Sequence, residues 1–238
     1  MLKAKHYKSK FVLISMKIQR TIHDGIFQIR ERRALFTQNL TPKKTFFCEK
    51  TIVENNLEYR YFDSRRSKLA AAVLKGISRL PLRKGQSVLY LGASHGYTSS
   101  FVSDIVGKNG FVFCLDFAPR VVRDLVFVCE QRENMTPLLE DAFHPERYAK
   151  NISKVDLIYQ DIAQKNQVQI LVKNAEMFLK PKGYALLALK SRSVDVTKNP
   201  RDIFTSVEFE LKKKFRIIDK KRLEPYERDH AFYVLQLI

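Results

Sequence analysis

The stretch SVLYLGASHGYTSSFVSD, from Ser87 to Asp104, constrains the fold more than any other. Val88, Leu89, Tyr90 and Leu91 form an apolar run too short for a helix, Gly92 stops it, and a helix-compatible segment follows Gly96. This reads as strand, tight glycine turn, helix. Glycine has no Cβ and tolerates positive φ, so such a turn lets a ligand come close to the backbone, with Gly92 the candidate contact. The spacing Gly92-Ala93-Ser94-His95-Gly96 is neither the G-x-G-x-x-G of dinucleotide binders nor a phosphate-binding P-loop. A looser turn suits S-adenosylmethionine, which has no phosphate to cradle.

Beyond Gly85 strand-like and helix-like segments alternate. Strands are expected at Ser87–Gly92, Phe111–Asp116, Pro137–Leu139, Val155–Tyr159, Tyr184–Leu189, Phe215–Asp219 and Ala231–Leu237, with helices at Pro119–Gln131, Asn166–Leu179 and Pro200–Lys213. Alternation implies an α/β fold with a mainly parallel, Rossmann-like sheet covered on both faces, whose ligands lie outside the carboxyl ends of the strands. No helical pattern separates the last two strands, so they should form an antiparallel hairpin at the sheet edge. Upstream, SRRSKLAAAVLKGISRL from Ser64 predicts a serine-capped helix ending before Pro81. Residues 1–58 are basic and carry short strand-like runs at Phe11–Ile18, Gly25–Ile29, Ala34–Phe36 and Thr45–Cys48, which suggests a small β-rich N-terminal domain ahead of a domain spanning residues 59–238.

The acidic and polar residues fall in a pattern. Asp116, Asp141, Asp161 and Lys190 follow the second, third, fourth and fifth strands of the alternating region, which places them on one edge. A carboxylate after the second strand can accept from both ribose hydroxyls, Phe117 can pack on adenine, and Asp141 can take the exocyclic amine. The chain carries 43 Lys and Arg against 25 Asp and Glu, a net charge of +18, which points to a polyanion partner, nucleic acid rather than membrane. Cys48, Cys114 and Cys129 make no CxxC pair, so neither disulfides nor a structural metal site is expected. The apolar run Phe11–Met16 is too short for a membrane span, so a cytoplasmic protein beginning at Met1 is expected.

Several ordered segments resemble the fibrillarin-like RNA 2'-O-methyltransferases in their short archaeal form. They include LFTQNLTP, FFCEK, RYFDSRRSKLAAAVLKG, YLGASHGYTSSFVSDIVG, DFAPRVVRDL, PLLEDAFHPERY, LKSRSVDVTKNP and EPYERDHAFYV. The resemblance covers nearly the whole chain. It implies a catalytic set Lys68, Asp161, Lys190 and His230, and cofactor contacts at Tyr97, Thr98, Asp116, Phe117, Asp141, Ala142, Asp161, Ile162, Ala163 and Gln164. It further implies S-adenosyl-L-methionine as cofactor and rRNA or tRNA as substrate. Its setting is a box C/D ribonucleoprotein with a guide RNA, a scaffold protein and a kink-turn-binding protein.

Three departures stand out. His95-Gly96-Tyr97-Thr98 replaces the family's Ser-Gly-Thr-Thr, Asp116 stands where Glu is common, and Phe62-Asp63-Ser64 replaces Trp-Asn-Pro. The phenol of Tyr97 is expected to stack on the bound cofactor. Two rival readings remain: a small-molecule methyltransferase, which would not need +18, and an RNA-binding subunit that lost the cofactor through His95 and Tyr97.

Overall fold

The computed structural model describes residues 17–238. Two sheets organise it. The first is antiparallel and built from β1 (Gln19–Arg20), β2 (Ile26–Ile29), β3 (Ala34–Gln38), β4 (Thr51–Glu54) and β5 (Leu57–Tyr61), in the order β1-β2-β3-β5-β4. The strand expected at Phe11–Ile18 lies, except for its last two residues, outside the described residues. The segment Thr45–Cys48, expected as a strand, is irregular. Cys48 has φ 56°, and Phe46 sits beneath the guanidinium groups of Arg60 and Arg132, so this segment caps the interface and pairs with no strand. The strands that the sequence reading missed flank Asn55-Asn56, whose φ values of 51° and 62° suit a two-residue hairpin turn. β5 spans the expected domain boundary at residue 58.

The N-cap of α1 (Lys68–Leu74) is Ser67, whose Oγ accepts from Ala70 N. The helix stops well short of Pro81. Gly76 takes φ 76°, and its N–H and that of Ile77 donate to Val73 O and Ala72 O, which closes the last turn. Leu69, Ala70, Ala71 and Ala72 are buried, and their small side chains let α1 lie close on the second sheet.

That sheet contains β6 (Ser87–Leu91), β7 (Phe111–Asp116), β8 (Met135–Leu139), β9 (Val155–Gln160), β10 (Leu179–Lys190), β11 (Phe215–Arg222) and β12 (His230–Leu237), in the order β11-β12-β10-β9-β6-β7-β8. Five strands are parallel, and β11 and β12 add an antiparallel hairpin at one edge, as the missing helix between them predicts. Helices α2 (Tyr97–Val106), α3 (Pro119–Glu130), α4 (Gln167–Phe178), α5 (Ser191–Val194) and α6 (Pro200–Leu211) follow in turn. Strand residues of alternate parity feed two cores. Val88, Tyr90, Tyr159, Leu186, Ala188 and Phe232 pack with α1 and α2, and Leu89, Leu91, Ile158, Leu187 and Tyr233 with α4 and α6.

A buried ionic cluster joins the two sheets through α2. Asp104 accepts from Thr37 Oγ1 at 2.7 Å and Leu40 N at 3.2 Å, and pairs with Arg60 at 3.2 Å and Arg132 at 2.8 Å. Arg60 also pairs with Glu49 at 2.8 Å, donates to Ser100 at 2.9 Å and lies 4.2 Å from the Phe101 ring centroid. Burial lowers the pKa of Arg60, and its two carboxylates oppose that shift.

Candidate active site

Gly92 ends β6 at φ 84°, and its N–H donates to Leu115 O on β7. A Cβ here would collide with the carbonyl oxygen of Asp161 and meet Ile162 Cγ2 at 2.8 Å. The missing side chain therefore lets β6 and β9 close together, with Asp161 N donating to Leu91 O at 2.9 Å. The space is filled by protein backbone, so Gly92 shapes the site by bringing Asp161 up to the turn.

Asp116 ends β7 with its carboxylate buried under the same turn. Oδ2 accepts from Ser94 N at 2.8 Å and Oδ1 from Ala118 N at 3.1 Å, which leaves one lone-pair direction on each oxygen for a diol. Phe117 is 63% exposed, a ring face free for stacking. Asp141 accepts from Phe143 N through Oδ1. The buried Ala142 side chain faces the second core and its carbonyl holds Asn174 at 2.8 Å, so toward a ligand it offers only its N–H. Ile162, Ala163 and Gln164 continue from Asp161 as partly or fully exposed loop. These donors and acceptors follow the carboxyl ends of β7, β8 and β9, in the same sheet as β6, whose turn leads into α2; the first N–H groups of that helix have no intrahelical partner. That set fits a ribose, an adenine and a small zwitterion.

The side chains of Tyr97 and His95, the departures within the glycine turn, face other parts of the chain. The Tyr97 ring packs against Phe47 and Phe101, with centroids at 5.2 and 5.1 Å, beneath the guanidinium of Arg66 at 4.1 Å. Its hydroxyl oxygen accepts from Asp63 N at 3.3 Å. Burial pushes its pKa to about 12, partly offset by that hydrogen bond. Here two phenylalanines and an arginine hold the ring that was expected to stack on a cofactor. His95 points to α3 and contacts Asp124 at 2.9 Å, with both side chains about half exposed.

The four expected catalytic residues form two pairs. Lys68 Nζ lies 3.0 Å from Asp161 Oδ2, both side chains about one-fifth exposed. Asp161 Oδ1 has no hydrogen-bond partner among the described residues. Lys190 and His230 are cross-strand partners at the facing ends of β10 and β12. Strand parity puts them on the face of Ala188 and Phe232, the one α1 covers, and Tyr159 sets the same face for Asp161. No hydrogen bond joins one pair to the other. His230 is buried, and its Nδ1–H donates to Arg228 O at 2.6 Å, which sets the orientation of the ring.

Two residues missing from the sequence reading hold these groups. Ser67 caps the helix that begins with Lys68 and accepts from Thr98 Oγ1 at 3.1 Å, which links the glycine turn's helix to the lysine's helix. Gln167 clamps both backbone polar groups of Lys190, at 3.1 and 3.2 Å. Among the described residues no group of three or more His, Cys, Asp or Glu could hold a metal, and the three cysteines are free.

The fibrillarin family model matches residues 17–237. A fibrillarin-like rRNA/tRNA 2'-O-methyltransferase of Pyrococcus horikoshii is 48% identical over 200 residues, 84% of this chain and 88% of the relative. The solved structure of Aeropyrum pernix fibrillarin with natively bound S-adenosyl-L-methionine aligns with TM-score 0.85 at 39% identity, covering 92% of this chain and 97% of that one. A fibrillarin solved in complex with Nop5p aligns with TM-score 0.84 at 39% identity, covering 92% and 100%.

Proposed function

The chain belongs to the fibrillarin family, and from that premise we propose how its own residues carry out ribose 2'-O-methylation of rRNA and tRNA with S-adenosyl-L-methionine as methyl donor. When bound, the cofactor supplies an electrophilic sulfonium methyl. The protein's tasks are then to hold a ribose 2'-hydroxyl in line and to help remove its proton. Positioning can supply roughly 7 to 11 kcal/mol of the barrier and a general base roughly 10²- to 10⁴-fold, so positioning is the larger task.

The observation that carries this reading is the Lys68–Asp161 pair, one-fifth exposed at the end of β9 with one carboxylate oxygen uncommitted. In the proposed assignment Asp161 Oδ1 receives the 2'-hydroxyl hydrogen bond and its proton. Lys68 fixes the other oxygen and places a positive charge beside the developing alkoxide. Lys190, whose amine has no partner among the described residues, holds the ribose or a neighbouring phosphate. His230 is a positioning residue beside it, with its ring set by Arg228 O. Asp116, Phe117, Asp141, Ala142, the loop from Asp161 to Gln164 and the backbone at Tyr97 and Thr98 form the proposed cofactor cradle.

A relative solved with Nop5p supports a scaffold protein as partner for this chain too. In this reading a box C/D guide RNA chooses the nucleotide, a kink-turn-binding protein completes the particle, and the setting is the cytoplasm; no described helix is long and apolar enough to cross a membrane. Two measurements test it: calorimetric titration with S-adenosylmethionine, and single-turnover methylation in a reconstituted guide complex. Cofactor binding and transfer only with the guide are expected. Absent cofactor binding, or methylation of one chosen nucleotide by the chain alone, would overturn it.

A further inference from the structure

Away from the catalytic edge, two adjoining clefts of about 580 and 390 Å³ share Ile22, His23 and Ser78. One side is the turn between β1 and β2, and the other is the connector from α1 to β6 with the start of β11. Arginines line both. Arg20, Arg30 and Arg33 face the first cleft, and Arg79, Arg83 and Arg216 the second. Elsewhere some basic side chains have carboxylate partners, as in Lys213–Glu210, Lys220–Glu208, Lys214–Glu176 and Lys180–Asp156. Here, among the described residues, only Arg83 has a carboxylate partner, Asp24 at 3.6 Å. Asp219 is consumed by the backbone and hydroxyl of Ser78, at 2.6 and 2.7 Å. Five exposed guanidinium groups therefore converge without counter-charge.

We propose that this arginine-lined cleft is a second RNA site that binds the phosphate backbone of the substrate or guide. Guanidinium forks match phosphate oxygens in pairs, which a lysine ammonium does not. A concave wall of them holds several successive phosphates, and Ile22, 80% exposed on the rim, offers apolar surface to a sugar or base. The seven residues of α1, about 10 Å of helix, separate Lys68 from the Gly76–Arg83 connector. Phosphates bound here thus belong to RNA outside the reacting nucleotide. The inference rests on the RNA-methyltransferase reading above, and the test separates the two.

The test follows binding of an unstructured single-stranded RNA to the full chain by fluorescence anisotropy across a salt series. Arg79→Gln/Arg216→Gln is compared with Lys108→Gln/Lys150→Gln, which removes the same charge from exposed and equally unpaired lysines elsewhere. Each lost phosphate contact on a single strand lowers the log–log salt slope by about 0.7, so the arginine variant should lose about 1.4. The lysine variant should lose clearly less. Cofactor affinity, unchanged in both, reports an intact fold. Equal losses in the two variants would mean a diffuse positive field and overturn the site, as would an unchanged slope in the arginine variant. If that variant kept its RNA slope but lost capture by the scaffold protein, the cleft would be a protein interface instead. Failure of the unaltered chain to bind any RNA would overturn the RNA reading along with the cleft.

Discussion

Asp104 and Asp161 are both carboxylates bonded to cationic side chains, and they do opposite work. Asp104 is buried on α2, and both oxygens are filled by Thr37, Leu40, Arg60 and Arg132. Asp161 sits at a strand end, one-fifth exposed, with one oxygen on Lys68 and the other free. Saturation and burial make the first a joint between two sheets, since removing any member leaves charges in a low dielectric. Partial exposure makes the second inexpensive to break structurally and available to a substrate. The residue types alone do not separate these roles; the count of uncommitted lone pairs does.

The comparison breaks or holds first at Asp161. Asp161→Asn keeps the shape and loses the proton acceptor, so single-turnover methylation should fall by about 10²- to 10⁴-fold. Its unfolding free energy should change by less than that of the Asp104 variant below, because this pair is partly open to solvent. Near-normal transfer by the variant would remove Asp161 from the mechanism. Asp104→Ala should do the reverse. It strands Arg60 and Arg132 without their shared carboxylate, at a cost of about 3 to 5 kcal/mol in denaturant unfolding. A loss under about 1 kcal/mol would mean that water reaches the joint and that the two carboxylates are less different than their burial suggests.

Ser67 lies between these extremes, because it is buried and structural but holds a residue of the open pair. Ser67→Ala removes a helix cap worth about 1 kcal/mol. It also frees the Thr98 hydroxyl, so the methylation rate at saturating cofactor should fall by more than the KM for cofactor rises. Ser67→Thr, which keeps a capping oxygen, should restore both. A loss of stability with kcat untouched would confine Ser67 to the scaffold.

The alternating sheet was legible because apolar runs and glycine stops report burial directly, and Ser87–Leu91 and Phe111–Asp116 follow the expected spans closely. The N-terminal sheet was less so. Thr45–Cys48 has strand-like composition, but Phe46 and Phe47 serve long-range contacts to Arg60, Arg132 and Tyr97, which no local pattern shows. Asn55-Asn56 was the available mark of the missed hairpin. Lys68 and Asp161 are 93 residues apart in sequence, so only the family resemblance could pair them beforehand. Gln167 was invisible for a related reason, since it holds Lys190 through backbone groups whose positions are set by tertiary packing.

The smallest expected effect falls on Tyr97, where the chain departs from its family within the glycine turn. The phenol makes one hydrogen bond, accepted from Asp63 N, and otherwise packs as a phenylalanine would. Tyr97→Phe should therefore cost no more than about 1 kcal/mol at neutral pH. Cofactor affinity should stay within about twofold, because the ring is held on the side of Phe47 and Arg66. The pH dependence gives a second reading. Burial raises the phenol's pKa from 10 to about 12, so the folded state resists ionisation more than the unfolded chain does. The stability this group contributes is complete below pH 10 and is lost as pH rises from 10 to 12. The phenylalanine variant has no such group to lose, so the stability difference between the two proteins should narrow through that window and can reverse. A tenfold loss of cofactor affinity in Tyr97→Phe would show instead that the phenol swings onto the bound cofactor, which would make this departure part of the open site and not of its buried support.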